Sequence, residues 1–271
     1  MILHGDKIQV NFGGFVSLST IDWRGKSVCT VFLRGCPLRC SYCQNEAIQA
    51  GEDIRDLDEI VEMIRTSSPF ISGVVFSGGE PAAQGPALIA LAENAKKMDL
   101  SVGIQTSGLF PEVLETLIAR GLADRIAVDY KTRWEGFSST VKECADVPRG
   151  GYQKRVDRSI EICKKAFAEK LLPEFEVVVT VFYENEKYIK TISEKIGDAP
   201  LVLQQGEHKI PMMQDEIANM TSYIARKQNT IEQYTPMTLA EIKKIAEGLK
   251  RDVRIRTREV GEIAFNRRFI L

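Results

Sequence analysis

Val28-Cys29-Thr30-Val31-Phe32-Leu33-Arg34-Gly35-Cys36-Pro37-Leu38-Arg39-Cys40-Ser41-Tyr42-Cys43 joins an apolar run of strand length to a loop carrying three cysteines. Six further apolar runs of strand length follow, at 73–76, 101–105, 125–128, 175–182, 201–203 and 253–255. The segments between them have helical period, as in Leu57, Ile60, Val61, Ile64 and in Leu88, Leu91, Ala92, Ala95. Start signals agree: Asp56 precedes Glu59 by three residues, and Pro86 and Pro111 stand where a first helical turn tolerates a missing N–H. Gly121 predicts the end of the third helix. Strand and helix in alternation read as βα units around a parallel sheet, so the fold class is α/β.

The 271 residues are 44% hydrophobic, which suffices for a full core. Lys and Arg number 36 against 37 Asp and Glu, a balance that argues against a nucleic-acid binder and against a polybasic membrane protein. No stretch approaches the roughly 20 apolar residues of a membrane span, and the first seven residues lack a leader pattern, so a cytoplasmic protein is expected. Without repeat, low-complexity tract or linker, one domain over 1–271 is the simpler reading, with a core at about 15–205 and a less typical part at 206–271. The segments 132–150 and 206–235 resist the βα pattern.

Of six cysteines, Cys36, Cys40 and Cys43 form a C-x₃-C-x₂-C array, while Cys29, Cys144 and Cys163 are scattered. This is metal or cluster usage and not a secreted disulfide framework. A cubane [4Fe–4S] cluster usually takes four thiolates, so three leave one iron open for a ligand bearing an amine and a carboxylate. The alternative is a structural zinc site completed by a histidine or a remote cysteine, with His4 and His208 the only histidines. Cys29 and Cys163 fall where cysteine acts as a small hydrophobe, and Cys144 lies in the polar 132–150 segment.

Ser77-Gly78-Gly79-Glu80-Pro81 follows the second strand directly. Two glycines let a ligand approach the backbone, and the carboxylate can hold an ammonium group or orient the loop that does. Thr106, Asp129 and Lys131 follow the next two strands, so every motif falls at a strand's carboxyl end, where α/β folds gather ligands. Gln204, Gln205 and Arg256 fall where they either reach that pocket or face solvent. The basic tail, with Arg254, Arg256 and Arg258 among it, reads as a solvated face, and Met212-Met213 as packing.

With these residues the chain resembles the radical S-adenosylmethionine superfamily. More narrowly, it is similar to the activating proteins of glycyl radical enzymes, in particular of anaerobic ribonucleoside-triphosphate reductase. The likeness rests on Ser19-Thr20-Ile21-Asp22-Trp23-Arg24-Gly25-Lys26, on 32–36, on Tyr42-Cys43-Gln44-Asn45, on 77–81 and on Asp129-Tyr130-Lys131. It implies a partial (β/α)₆ barrel in which Cys36, Cys40 and Cys43 ligate a [4Fe–4S] cluster and Tyr42 lies against the adenine of S-adenosylmethionine. Ser77, Gly78, Gly79 and Glu80 would line the methionyl end. Asp129 and Lys131, with Thr106, would contribute to the cofactor pocket and to a monovalent-cation site, although Gln105 stands where related activases can have an acidic residue. Asp22 matches a position near the partner's glycine loop, and Arg24 replaces a proline common there.

The implied reaction is reductive cleavage of S-adenosylmethionine to a 5′-deoxyadenosyl radical that takes hydrogen from a glycine of the partner reductase, fed by a low-potential electron donor. Two alternatives stand beside it: a radical S-adenosylmethionine enzyme acting on a small molecule or another peptide, and a non-catalytic metal-binding module.

Overall fold

The structure is a computed structural model that describes residues 8–40, 42–131, 141–143 (backbone), 151–183, 185–207 and 236–266. Cys144, Met212-Met213, both histidines and most of the 132–150 and 206–235 segments lie outside the described residues.

Twelve strands are described: β1 (Gln9–Ser19), β2 (Val28–Leu33), β3 (Leu38–Cys40), β4 (Ile54–Asp56), β5 (Gly73–Gly78), β6 (Ser101–Thr106), β7 (Arg125–Asp129), β8 (Val141–Glu143), β9 (Glu174–Val181), β10 (Leu201–Gln205), β11 (Val253–Thr257) and β12 (Gly261–Phe265). Six α-helices alternate with them: α1 (Leu57–Ser67), α2 (Gly85–Lys97), α3 (Pro111–Ala119), α4 (Gly151–Ala168), α5 (Glu186–Ile196) and α6 (Leu239–Gly248). Ten strands form one sheet in the order β12-β11-β10-β9-β7-β6-β5-β2-β1-β4, and β3 pairs with β8 separately. From β2 to β11 every neighbouring pair is parallel, whereas β1, β4 and β12 are antiparallel edges. The sheet is therefore the open, mostly parallel kind expected, with β11 a seventh parallel strand beyond the six of a (β/α)₆ unit.

All seven anticipated strands are present, because each is a short apolar run whose alternate residues are buried on both faces. One face carries Cys29, Val31, Leu33, Phe76, Ile104 and Val128 into a core shared with Ile60, Leu91, Leu114 and Ile160 of the helices. The other face holds two small clusters, Trp23–Val28–Val75 and Ala127–Val178–Val202. Trp23 is 1% exposed. Its Nε1 donates to Glu174 Oε2 at 3.1 Å, and a Cβ on Gly103 would come within 2.9 Å of the indole. Burying that ring is why β6 carries a glycine mid-strand.

Helix starts follow the sequence with one exception. Pro86 and Pro111 occupy first turns, and Gly121 takes φ 61° just past α3. Asp56 is the N-cap of α1, but its side chain makes no cap hydrogen bond. The reciprocal capping box occurs instead at α6, between Thr238 and Glu241.

Two arginines of the basic tail depart from the expected solvated face, while Arg258 is exposed. Arg254 and Arg256 project from β11 onto a shared pair of carboxylates, Glu176 and Glu262, whose side chains are 3% and 6% exposed. Arg256 bonds Glu262 at 2.7 Å and Glu176 at 3.2 Å, Arg254 also contacts both, and Arg125 bonds Glu176 at 2.5 Å. Burial pushes the Glu176 carboxyl up, but Arg125, Arg256 and Arg254 more than reverse this and hold it below the ordinary glutamate value of 4.5. A native value below the unfolded one means stability that is present above about pH 4.5 and lost as pH falls through the native value. Denaturant midpoints measured from neutral pH downward are expected to fall more steeply on the acid side in the wild type than in Glu176→Gln. Equal acid slopes would exclude this group as a source of the acid sensitivity.

Candidate functional site

The register places the motif-bearing strand ends side by side. Leu33 pairs with Gly78 across β2 and β5, Thr106 with Val128 across β6 and β7, and Asp129 with Val178 across β7 and β9. The cysteine loop and the Gly-Gly-Glu turn thus leave the sheet from adjacent strands at the same level.

Backbone bonds join them. Gly79 N donates to Leu33 O and Glu80 N to Gly35 O, both at 2.8 Å. A Cβ on Gly79 would lie 2.6 Å from the Gly35 carbonyl carbon and 3.2 Å from Cys36 Cβ. Gly78 has φ 129° and would collide with Leu33 backbone atoms. Both positions require glycine because two backbones touch there. The loop's far end is tied back as well: Gly35 N donates to Ile48 O at 2.8 Å, Cys36 N to Gln49 O at 3.0 Å and Cys43 N to Cys40 O at 3.1 Å, and Asn45 Nδ2 donates to Gly78 O at 3.0 Å.

Glu80 is fully buried. Its carboxylate accepts from Ala82 N at 3.0 Å, from Thr106 Oγ1 at 2.7 Å, from Ser107 N at 2.6 Å and from Ser107 Oγ. Burial pushes its pKa up, and the Ser107, Thr106 and Ala82 donors pull against that shift. Thr106 Oγ1 also accepts from Gly108 N at 3.1 Å, which turns its proton toward Glu80. Of the two roles open to this carboxylate, the structure shows the orienting one: Glu80 locks the turn after β5 to the turn after β6.

Tyr42 is 9% exposed, with its ring centroid 4.9 Å from that of Phe182 and Lys131 Nζ 5.9 Å from its centre. Lys131 pairs with Asp129 at 3.0 Å, so the Asp129 carboxylate already has a cationic partner. Burial raises the Cys36 thiol pKa to about 12, with the Glu80 charge adding to it. Burial also raises Cys40, while Lys131 favours its thiolate. Among the described residues no three His, Cys, Asp or Glu side chains are arranged to hold a single metal ion.

Farther down the same face, Ser77 Oγ donates to Gln105 Oε1 at 3.0 Å, and Gln105 Nε2 donates to Asp22 O at 3.3 Å. The amide uses both ends, which an acidic residue at 105 could not do. Asp22 Oδ2 accepts from Thr30 Oγ1 at 2.7 Å, placing this carboxylate over the middle of β2, while it is the Asp22 backbone carbonyl that stands one amide away from Ser77. Arg256 also faces this side, bonded to Gln204 Oε1 at 3.1 Å. Gln205 instead holds Met237 O at 2.7 Å.

The structure therefore brings Cys36, Cys40, Cys43, Tyr42, Ser77, Gly78, Gly79, Glu80, Thr106, Asp129 and Lys131 to one edge, with Asp22 below. Sequence reasoning missed Ser107, Phe182 and Tyr152. The first follows a strand end already singled out. The second shows itself only through Gly206, where a Cβ would strike its ring. Tyr152, buried in the first turn of α4, shows itself only in the tertiary structure.

Fold and site define a class: an open parallel α/β sheet presenting a three-thiol loop against a glycine turn. The sequence model of the Radical SAM superfamily matches residues 30–196, and the chain belongs to that superfamily. It is 30% identical over 228 residues, 79% of this chain and 91% of the other, to the "Putative glycyl-radical enzyme activating enzyme" of Methanocaldococcus jannaschii. It is 28% identical over 200 residues, 65% of this chain and 74% of the other, to the 7-carboxy-7-deazaguanine synthase of Thermococcus kodakarensis. Among solved structures, TYW1 with a lysine-pyruvate adduct bound superposes with a TM-score of 0.57 at 12% identity, covering 88% of this chain and 80% of that one. That likeness concerns the fold. Membership in the superfamily implies a [4Fe–4S] cluster and S-adenosylmethionine, and the donor set fits: three thiols on one loop, with the Lys131 charge favouring the Cys40 thiolate. No helix among the described residues is long and apolar enough to cross a membrane.

Proposed function

We propose that the chain activates a glycyl radical enzyme, with an anaerobic ribonucleoside-triphosphate reductase as the partner. The similarity to the M. jannaschii protein over 91% of its length carries the activase part of this reading, and the choice of reductase rests on the resemblance of residues 19–26, 32–36, 42–45, 77–81 and 129–131. Cys36, Cys40 and Cys43 would hold the [4Fe–4S] cluster. Together the cluster and S-adenosylmethionine supply reductive C–S cleavage and a 5′-deoxyadenosyl radical able to take hydrogen from a glycine.

The chain's own residues position and enclose. Ser77, Gly78 and Gly79 offer backbone to the methionyl end, held in place by Glu80 through Thr106 and Ser107. Tyr42 and Phe182 form an aromatic wall for the adenine. Asp129 and Lys131 flank the same pocket, and Asp129 is the candidate ligand for a monovalent cation. Asp22, oriented by Thr30, faces the partner's glycine loop. A low-potential donor in the cytoplasm, such as a ferredoxin or flavodoxin, supplies the electron.

The test is anaerobic incubation of the iron- and sulfide-loaded chain with S-adenosylmethionine, a strong reductant and the candidate reductase. The expected result is 5′-deoxyadenosine together with a glycine-centred electron paramagnetic resonance signal on the reductase. Nucleoside product with no partner radical would favour the second reading, a small molecule or another peptide as substrate, which the similarity to the T. kodakarensis enzyme supports. Zinc without iron and sulfide would point to a non-catalytic metal-binding module.

A further inference from the structure

On the sheet face opposite the helical core, Gln105 stands between the Ser77 turn and the Asp22 segment, and its amide touches both. Nε2 donates to the Asp22 backbone carbonyl at 3.3 Å, and Oε1 accepts from Ser77 Oγ at 3.0 Å. The amide's orientation is fixed chemically, because a backbone carbonyl can only accept and so must face the nitrogen. The Ser77 hydroxyl then has one choice. Its proton points at Gln105, and its oxygen lone pairs are left for a ligand. A group bound at Ser77 Oγ must therefore bring a donor. At the methionyl end of S-adenosylmethionine the ammonium does so and the carboxylate does not.

The other end of the amide is held as firmly. β6 places Gly103 under the buried Trp23 ring and, two residues on and on the same face, Gln105 under Asp22. Trp23 Nε1 is tied to Glu174 at 3.1 Å, Arg125 Nη1 adds a second donor to Asp22 O at 3.4 Å, and Thr30 holds the carboxylate at 2.7 Å. With its carbonyl engaged, Asp22 meets a partner through its carboxylate, which selects an N–H or O–H donor there as well. Ser77, Gln105 and Asp22 are all half-buried, so none is sealed from a ligand. We infer that Gln105 is a positioning residue shared by two sites, one amide setting both the Ser77 acceptor for S-adenosylmethionine and the Asp22 segment for the partner's glycine loop. The inference rests on the proposed function's assignment of those two residues.

The experiment measures equilibrium binding to the iron- and sulfide-loaded full-length chain, without reductant, so that no cleavage occurs. The probes are S-adenosylmethionine and a fluorescent synthetic peptide spanning the candidate reductase's radical glycine. Gln105→Leu removes both hydrogen bonds, and each dissociation constant is expected to rise roughly threefold to tenfold. Gln105→Glu separates the two ends. An ionised carboxylate still accepts from Ser77 but cannot donate to the Asp22 carbonyl. Its affinity for S-adenosylmethionine should match the wild type's, while its affinity for the peptide falls at least as far as in Gln105→Leu. A general loss of packing would not produce that split. The inference is overturned if Gln105→Leu weakens neither probe or only one, or if Gln105→Glu shifts both constants alike or neither. Should Gln105→Leu fail to fold, Gln105→Glu alone decides. A wild type that binds S-adenosylmethionine but not the peptide refutes the activase reading, and the shared role falls with it. A wild type that takes up no iron and sulfide refutes the cluster assignment before either, so the failures are distinguished.

Discussion

Cys40→Ala is expected to bring 5′-deoxyadenosine formation down to background and to leave the reconstituted protein without stoichiometric iron and sulfide. The same holds for Cys36→Ala and Cys43→Ala. The reason is the ligand count: with three thiolates on one loop, removing any one leaves a cubane with two protein ligands and two uncovered irons. Cys29→Ala and Cys163→Ala are the matched controls. Both side chains are fully buried in the core shared by sheet and helices, and burial raises the Cys29 thiol to about 12, so each behaves as a small apolar group. Their truncation should cost on the order of 1–2 kcal/mol through a small cavity, read as a lower denaturant midpoint, with iron content and product formation intact. Full cleavage activity in Cys40→Ala would refute the assignment of the loop.

Gly79→Ala is expected to have the next largest effect, although it adds a single methyl group and removes no proposed cluster ligand. Its Cβ would sit 2.6 Å from the Gly35 carbonyl carbon and 3.2 Å from Cys36 Cβ. The obstruction is backbone and cannot rotate away. To admit the methyl group the turn must draw back from the loop, which breaks or stretches the Glu80 N to Gly35 O bond and moves Cys36. Overpacking of this kind costs about 1–3 kcal/mol, so the chain should still fold, while cluster retention and S-adenosylmethionine cleavage are lost. Gly248→Ala is the control: nothing lies within 4 Å of its added Cβ, and alanine is the better helix former. Measured iron content, melting temperature and product yield should separate the two variants. A Gly79→Ala protein with wild-type iron content would show that the turn does not buttress the cysteine loop.

Legibility in the sequence divided along physical lines. The cysteine array and the Ser77–Gly79 turn were readable because ligand spacing and the need for glycine are properties of a few consecutive residues. Strand β1 was missed because Gly13-Gly14 breaks its apolar run, at the place where the β1–β2 register also shifts between Phe12 and Gly14. A Cβ on Gly13 would lie 2.9 Å from Phe32 O, so the glycine that hides the strand is the one that lets it pack. Part of the basic tail was misread for a different reason. Arg254 finds Glu176 across 78 residues, and only the strand order that places β11 near β9 creates that pair.

By itself, then, the sequence marked the candidate residues for the chemistry and the seven parallel strands with the helices between them, since both are written in short-range spacing and period. Only the tertiary structure decided what each polar group faces. It turned Glu80 inward to bind Thr106 and Ser107 from the next strand, joined the Asp22 backbone carbonyl to Ser77 through Gln105, and set Arg254 and Arg256 on Glu176 and Glu262. The physical reason is that a hydrogen bond depends on distance and direction between groups that the chain brings together only after the sheet has chosen its order and register.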